Sequence, residues 1–178
     1  MRRRDFITLI GGTAATWPLA ARAQRTDRMR TVSVLLGLGE KDPEAINRIK
    51  SFRLGMRDLG WIEGRNVQID YRFAGTDLES INKNVAEVVQ LAPDVIVANS
   101  SAAMVALRPA TSTIPIVFAV VSDPVGQGFI SNLAHPGGNI TGFSFIDINM
   151  VGKWVNLLRD VKPNLSRVVL MFNPDTAP

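Results

Sequence analysis

The sequence predicts an α/β fold, a parallel sheet flanked by helices. Three observations predict it. Residues 31–38, 94–98 and 115–121 are apolar runs, as strands buried on both faces require. The segments between them carry apolar residues at three- and four-residue steps, the helical period. Strands separated by helices of this length favour parallel pairing through right-handed crossovers.

Taken in order, residues 31–38 make the first strand. Asp42 and Pro43 then start a helix, with Ile46, Ile49, Phe52, Met56 and Leu59 on one stripe and Gly60 at its end. Residues 66–73 make the second strand, introduced by the turn residues Glu63 and Gly64. Val67, Ile69 and Tyr71 alternate with Gln68, Asp70 and Arg72, so one face is exposed and the strand belongs at a sheet edge. A helix over 77–92 follows, with Leu78, Ile81, Val85, Val88 and Ala92 on one side. Residues 94–98 form the third strand, 101–112 a helix of small residues, and 115–121 the fourth strand. Asp123 opens a segment that ends near Leu133, and it is placed to cap a helix with Pro124 in the first position. Gly137 and Gly138 turn the chain into a strand over 139–145. A helix over 149–162 carries Val151, Trp154, Leu158 and Val161 on one side, and 167–172 reads as a final strand with no helix after it.

Ligands of such sheets bind at the carboxyl ends of the strands, where strand order reverses. That rule selects residues 37–42, 74–77, 99–102 and 122–126. Gly37-Leu38-Gly39 is a poor dinucleotide signature, because the third glycine is missing and Glu40 has the wrong sign for a pyrophosphate. Ser100 or Ser101 caps the next helix, whose free N–H groups suit an anion such as a carboxylate. The carboxylate of Asp123 suits an ammonium. Each of these residues is equally well read as a helix cap alone. His135, the single histidine, reads as a turn residue, since no cysteine or carboxylate cluster completes a metal site. No GxSxG nucleophile elbow occurs. Arg48, Lys50, Arg53 and Arg57 read as a solvated helix face, and Trp61 and Trp154 as packing residues.

The first 23 residues have another character. Arg2, Arg3 and Arg4 precede a run from Phe6 to Leu19 that is softened by Gly11 and Gly12, and Ala21 and Ala23 offer the small residues that signal cleavage needs. The run is too short and too polar to span about 30 Å of hydrocarbon. The string from Arg3 to Ile7 resembles a twin-arginine export signal. This leader holds four arginines and one aspartate, so the remaining 155 residues carry a net charge of only +1. That charge leaves no electrostatic footprint for nucleic acid. The chain has no cysteine, which excludes disulfides and a lipoprotein anchor. The reading is a soluble, exported periplasmic chain.

Four stretches, 52–74, 94–103, 113–145 and 167–174, resemble the N-terminal half of ABC-transporter substrate-binding proteins of the type I periplasmic-binding fold, in the branch with tryptophan- and tyrosine-binding members. The order IPIVF, SDPV, LxxPGGNxTG between 114 and 145 is the most specific part. The resemblance implies two hinged lobes that close on a small amino-acid-like ligand and present it to an ABC permease in the inner membrane. It implies no cofactor and no enzymatic turnover. By position, Ser100 and Ser101 would meet a ligand carboxylate and Asp123 an amino group. Gly39 and Glu40 would line the cleft, and Thr141 would reach it from the crossover. The ligand-binding lobe is expected over 24–140, with 141–178 the crossover and the first helix and strand of a truncated second lobe. An exported α/β hydrolase or nucleotide-linked enzyme is the alternative.

Overall fold

A computed structural model describes residues 28–146, 149–169 and 171. The export leader, with Ala21 and Ala23, lies outside the described residues, as do residues 170 and 172 of the expected last strand.

Five strands form one parallel sheet: β1 (Arg30–Leu36), β2 (Val67–Phe73), β3 (Val95–Asn99), β4 (Ile116–Ser122) and β5 (Ile140–Ile146). Their spatial order is β2-β1-β3-β4-β5, so β2 stands at an edge as its alternation predicts. The helices are α1 (Pro43–Asp58), α2 (Leu78–Leu91), α3 (Ser101–Ala110) and α4 (Asn149–Val161).

Topology decides which face each helix covers. The step from β1 to β2 runs one way along the sheet, and the later steps run the other way. Right-handed crossovers therefore place α1 on one face and α2 and α3 on the opposite face. The buried side chains divide accordingly. Leu35, Ile96, Ile116 and Phe118 pack with Ile81, Val88, Met104 and Leu107 of α2 and α3. Val34, Leu36, Val67 and Ile69 pack with Ala45, Ile49, Phe52 and Met56 of α1. Tyr71 belongs to this second cluster, and burial pushes its phenol up to about 12, with Glu63 adding to the rise.

Local chemistry sets the helix starts. Asp42 and Asp77 accept from the Glu44 and Ser80 amides at 2.8 Å each, and Ser100 accepts from Ala103 at 3.1 Å. Three expected elements change. The third helix stops at Ala110 behind Pro109, which cannot donate its amide to the helix ladder. The segment after Asp123 is a single turn instead of a capped helix. Gln127 donates its amide to the Asp123 carbonyl at 3.0 Å, and Gly126 and Gly128 then break the period before Phe129 and Ile130 enter the core. Residues 167–169 form no strand, and Val169 is exposed, because no neighbouring strand among the described residues supplies the ladder that a strand requires. The sheet also continues through Ile146, so the residues that follow 140 begin as an edge strand beside β4.

Candidate functional site

The strand order reverses between β1 and β3, whose following helices leave on opposite faces. A crevice at their carboxyl ends is the geometric consequence. The two strand ends are level, with Leu36 paired to Asn99. Gly37 sits directly against Ser100. A methyl carbon at position 37 would lie 2.7 Å from both Ser100 Cβ and Oγ, so only glycine permits the two loops to meet.

Ser100 caps α3 in extended backbone, its Oγ accepting from Ala103 and its carbonyl from the Met104 amide at 3.2 Å. The first amides of the helix point outward without intrahelical acceptors, an arrangement that favours an anion. Ser101 reaches sideways: its Oγ accepts from the Ser122 amide at 3.3 Å, joining the ends of β3 and β4. Asp123 comes next, with φ +40, and its Oδ1 accepts from the Gly126 amide at 2.9 Å. Its carboxylate lies over Gly126, where any side chain would collide with it. Asp123 has no cation partner in an ion pair among the described residues.

Gly39 and Glu40 lie on an exposed turn at the rim, closed by the Asp42 amide on the Gly39 carbonyl at 3.1 Å. The structure thus gathers Gly39, Glu40, Ser100, Ser101 and Asp123 on loops at one edge of the sheet. Thr141 is not among them. It pairs with Val117 near the amino end of β5, and Ser144 and Ile146 occupy the carboxyl end that faces Val121 and Ser122. A strand running parallel to β4 brings its last residues to this edge and leaves its second residue at the far one.

Sequence reasoning missed the contacts of three residues. Arg48, expected on a solvated face, turns inward: Nη1 donates to Asn99 Oδ1 at 2.7 Å and Nε to Glu44 at 3.0 Å. Lys50, Arg53 and Arg57 are exposed as expected. Beneath the crevice a cavity of about 350 Å³ opens between α1 and the sheet, lined by Leu36, Glu44, Arg48, Asn99, Ala119 and Val120 among others. None of the expected site residues lines it. Gln127 is the third. Its Nε2 donates to the Ser122 carbonyl at 2.7 Å, and its Oε1 is buried without a partner among the described residues. The one-turn spacing of Arg48 from Glu44 was the available signal for an ordered arginine. Asn99 falls in the selected loop 99–102, but nothing local marks Arg48 as its partner, and nothing local marks Gln127. His135 is an exposed turn residue, its amide bonded to Asn132 Oδ1 at 2.6 Å. Among the described residues no cluster of His, Cys, Asp or Glu has metal-site geometry, and no helix is long and apolar enough to cross a membrane.

Known proteins are similar to this chain in sequence and fold. A tyrosine-binding protein of Clostridioides difficile is 27% identical over 150 residues, 84% of this chain and 43% of that protein. A conserved domain protein of Vibrio cholerae O1 biovar El Tor superposes with a TM-score of 0.74 at 31% identity, over 84% of this chain and 49% of that one. An ABC domain from Streptococcus pneumonia in complex with L-Trp superposes with a TM-score of 0.60 at 26% identity, over 66% of this chain and 39% of that one. The chain thus spans about half the length of the relatives it matches. The family model of ABC transporter substrate binding proteins matches residues 41–178, and the chain belongs to that family.

Proposed function

We propose that this chain is the first lobe of an exported solute-binding protein that captures a small amino-acid-like ligand for an ABC permease. The observation that carries the reading is the crevice at the strand-order reversal, where Ser100, Ser101 and Asp123 share one edge of the sheet. A free amino acid carries a carboxylate and an ammonium. The amides at the start of α3 suit the first and the Asp123 carboxylate suits the second. The relatives named for tyrosine and crystallised with L-Trp support an aromatic amino acid as the ligand. Gly39 and Glu40 line the rim of this lobe. The second face of the site belongs to a second lobe, which begins around α4, and closure of the two lobes supplies most of the affinity.

Export through the leader, with cleavage after Ala23, places the protein in the periplasm, where such capture is useful. No cofactor enters the function, and no step of it breaks a covalent bond.

The test is a thermal-unfolding titration with L-tryptophan and L-tyrosine, alongside ester and nucleotide turnover assays. Ligand that binds only the folded chain raises its midpoint with concentration. A concentration-dependent rise with no turnover is expected. Turnover of an ester or nucleotide would favour the hydrolase or nucleotide-linked alternative and remove this reading.

A further inference from the structure

We infer that Gln127 is a positioning residue that holds the end of β4 in the strained conformation presenting Ser122 and Asp123 to the crevice. The inference rests on the amino-acid-binding reading above and deepens it.

The strain is local and visible. β4 pairs regularly with β5 as far as Phe118 opposite Gly142, and then the register slips twice before Ser122 meets Ile146. Inside the slip Val120 adopts φ +58, and just beyond it Asp123 adopts φ +40. A β-branched residue in the left-handed region costs about 1–3 kcal/mol, and such a conformation persists only where its surroundings over-determine it. Bulges of this kind redirect side chains beside binding sites.

Ser122, between the two strained residues, is gripped from both sides. Its amide donates to Ser101 Oγ at 3.3 Å, and its carbonyl accepts from Gln127 Nε2 at 2.7 Å. The Gln127 amide returns to the Asp123 carbonyl at 3.0 Å, so Gln127 clasps both residues. The turn is anchored behind it by Phe129 and Ile130, both buried in the core, and by their amides on the Pro124 carbonyl. Because a carbonyl only accepts, the group facing Ser122 must be a donor, which glutamine supplies and glutamate does not. Ser101 acquires a corresponding second duty: its hydroxyl is the opposite jaw of the clamp.

Gln127→Glu tests this with almost no change in shape. At pH 7 the introduced carboxylate opposes the Ser122 carbonyl and releases the clamp. Below its pKa, which burial raises, the carboxyl regains an O–H donor and restores it. Two readouts are compared with the wild-type chain at the same pH. Amide exchange of Ser122 and Gly126 should accelerate about tenfold in the variant at pH 7, with Leu35 and Ile96 unaffected, and return toward wild type near pH 4.5. Affinity for L-tryptophan or L-tyrosine should fall about tenfold and recover over the same range. A side chain that merely fills space would show neither the loss nor its reversal by acid. Unchanged exchange at pH 7 overturns the clamp whatever happens to binding. If the wild-type chain binds neither amino acid while exchange still responds, the binding reading fails and the clamp stands as an architectural device alone.

Discussion

The two faces of the sheet are held in different ways. On the face carrying α2 and α3, side chains of three strands disappear completely: Leu35, Ile96, Ile116 and Phe118 have no exposed surface. On the face carrying α1, a single helix lies over β1 and β2. Val97, Val117 and Ala119 there are only half-buried, and Phe143 of β5 is 77% exposed. The faces of β5 follow from alternation. Ile140 and Gly142 lie against the Phe118 cluster, so Thr141, Phe143 and Phe145 point to the α1 side. The lesson is that this lobe draws the larger part of its apolar stabilisation from the α2 and α3 side, while the other side, beyond the cluster under α1, presents open surface beside a groove rimmed by Arg30 and Asp94.

The largest test of that asymmetry is Phe118→Ala. The ring is wholly buried, and its carbonyl and ring leave no space for a Cβ at position 142, where glycine is required at φ +158. Deleting it should cost about 3–5 kcal/mol, read from urea unfolding, because the surrounding helices cannot fully collapse into the cavity. A loss below 1 kcal/mol would mean that the two faces contribute alike and the asymmetry is wrong.

The asymmetry also explains what was legible in the sequence. Continuous apolar runs marked β1, β3 and β4, and the alternation of Val67, Ile69 and Tyr71 marked β2 as an edge, because burial on one face or two is written into each strand separately. The crevice loops were legible because each parallel strand of such a fold ends in a loop at the carboxyl edge of the sheet. Thr141 was misplaced because its position depends on the direction and register of β5 against β4, information shared between two segments. The contacts of Arg48, Asn99 and Gln127 were missed because each acts through a partner distant in sequence or through a loop conformation. Of the strand expected over 167–172, residues 167–169 and 171 carry the right local pattern but form no ladder among the described residues.

A middle-sized effect belongs to the polar fastening at the rim of the groove. Asp94, at the foot of β3, accepts from the Thr31 amide at 2.8 Å, the Thr31 hydroxyl at 3.0 Å and Arg30 Nη1 at 3.0 Å. These bonds, the Thr31 amide foremost, hold its carboxyl down at about 2 instead of the ordinary 3.8. A depressed carboxyl contributes stability that is present above 3.8 and lost as pH falls through about 2. Asp94→Ala should therefore cost about 2 kcal/mol at pH 7. The difference from wild type should shrink as unfolding is repeated at falling pH across that window, whereas the Phe118→Ala deficit should not. A pH-independent Asp94 deficit would assign the loss to packing and erase the contrast between an apolar face and a polar rim.

The smallest effect is the sharpest check on the open face. Phe143→Ser removes a large aromatic side chain, yet a ring that stays in water when folded gains little from folding. Its deletion should change stability by no more than about 0.5 kcal/mol, near the range of ordinary surface substitutions. Serine has a lower strand propensity than phenylalanine, and β5 is an edge strand, so any residual effect should be a small destabilisation. The same urea unfolding used for Phe118→Ala measures it, and the ratio of the two losses is the quantity that matters. Phe118 and Phe143 belong to adjacent strands of one sheet and share a chemistry, differing in the face they occupy. A Phe143→Ser loss approaching that of Phe118→Ala would show that the α1 face is covered in solution. Near-neutrality would confirm that burial by α2 and α3 holds this lobe together.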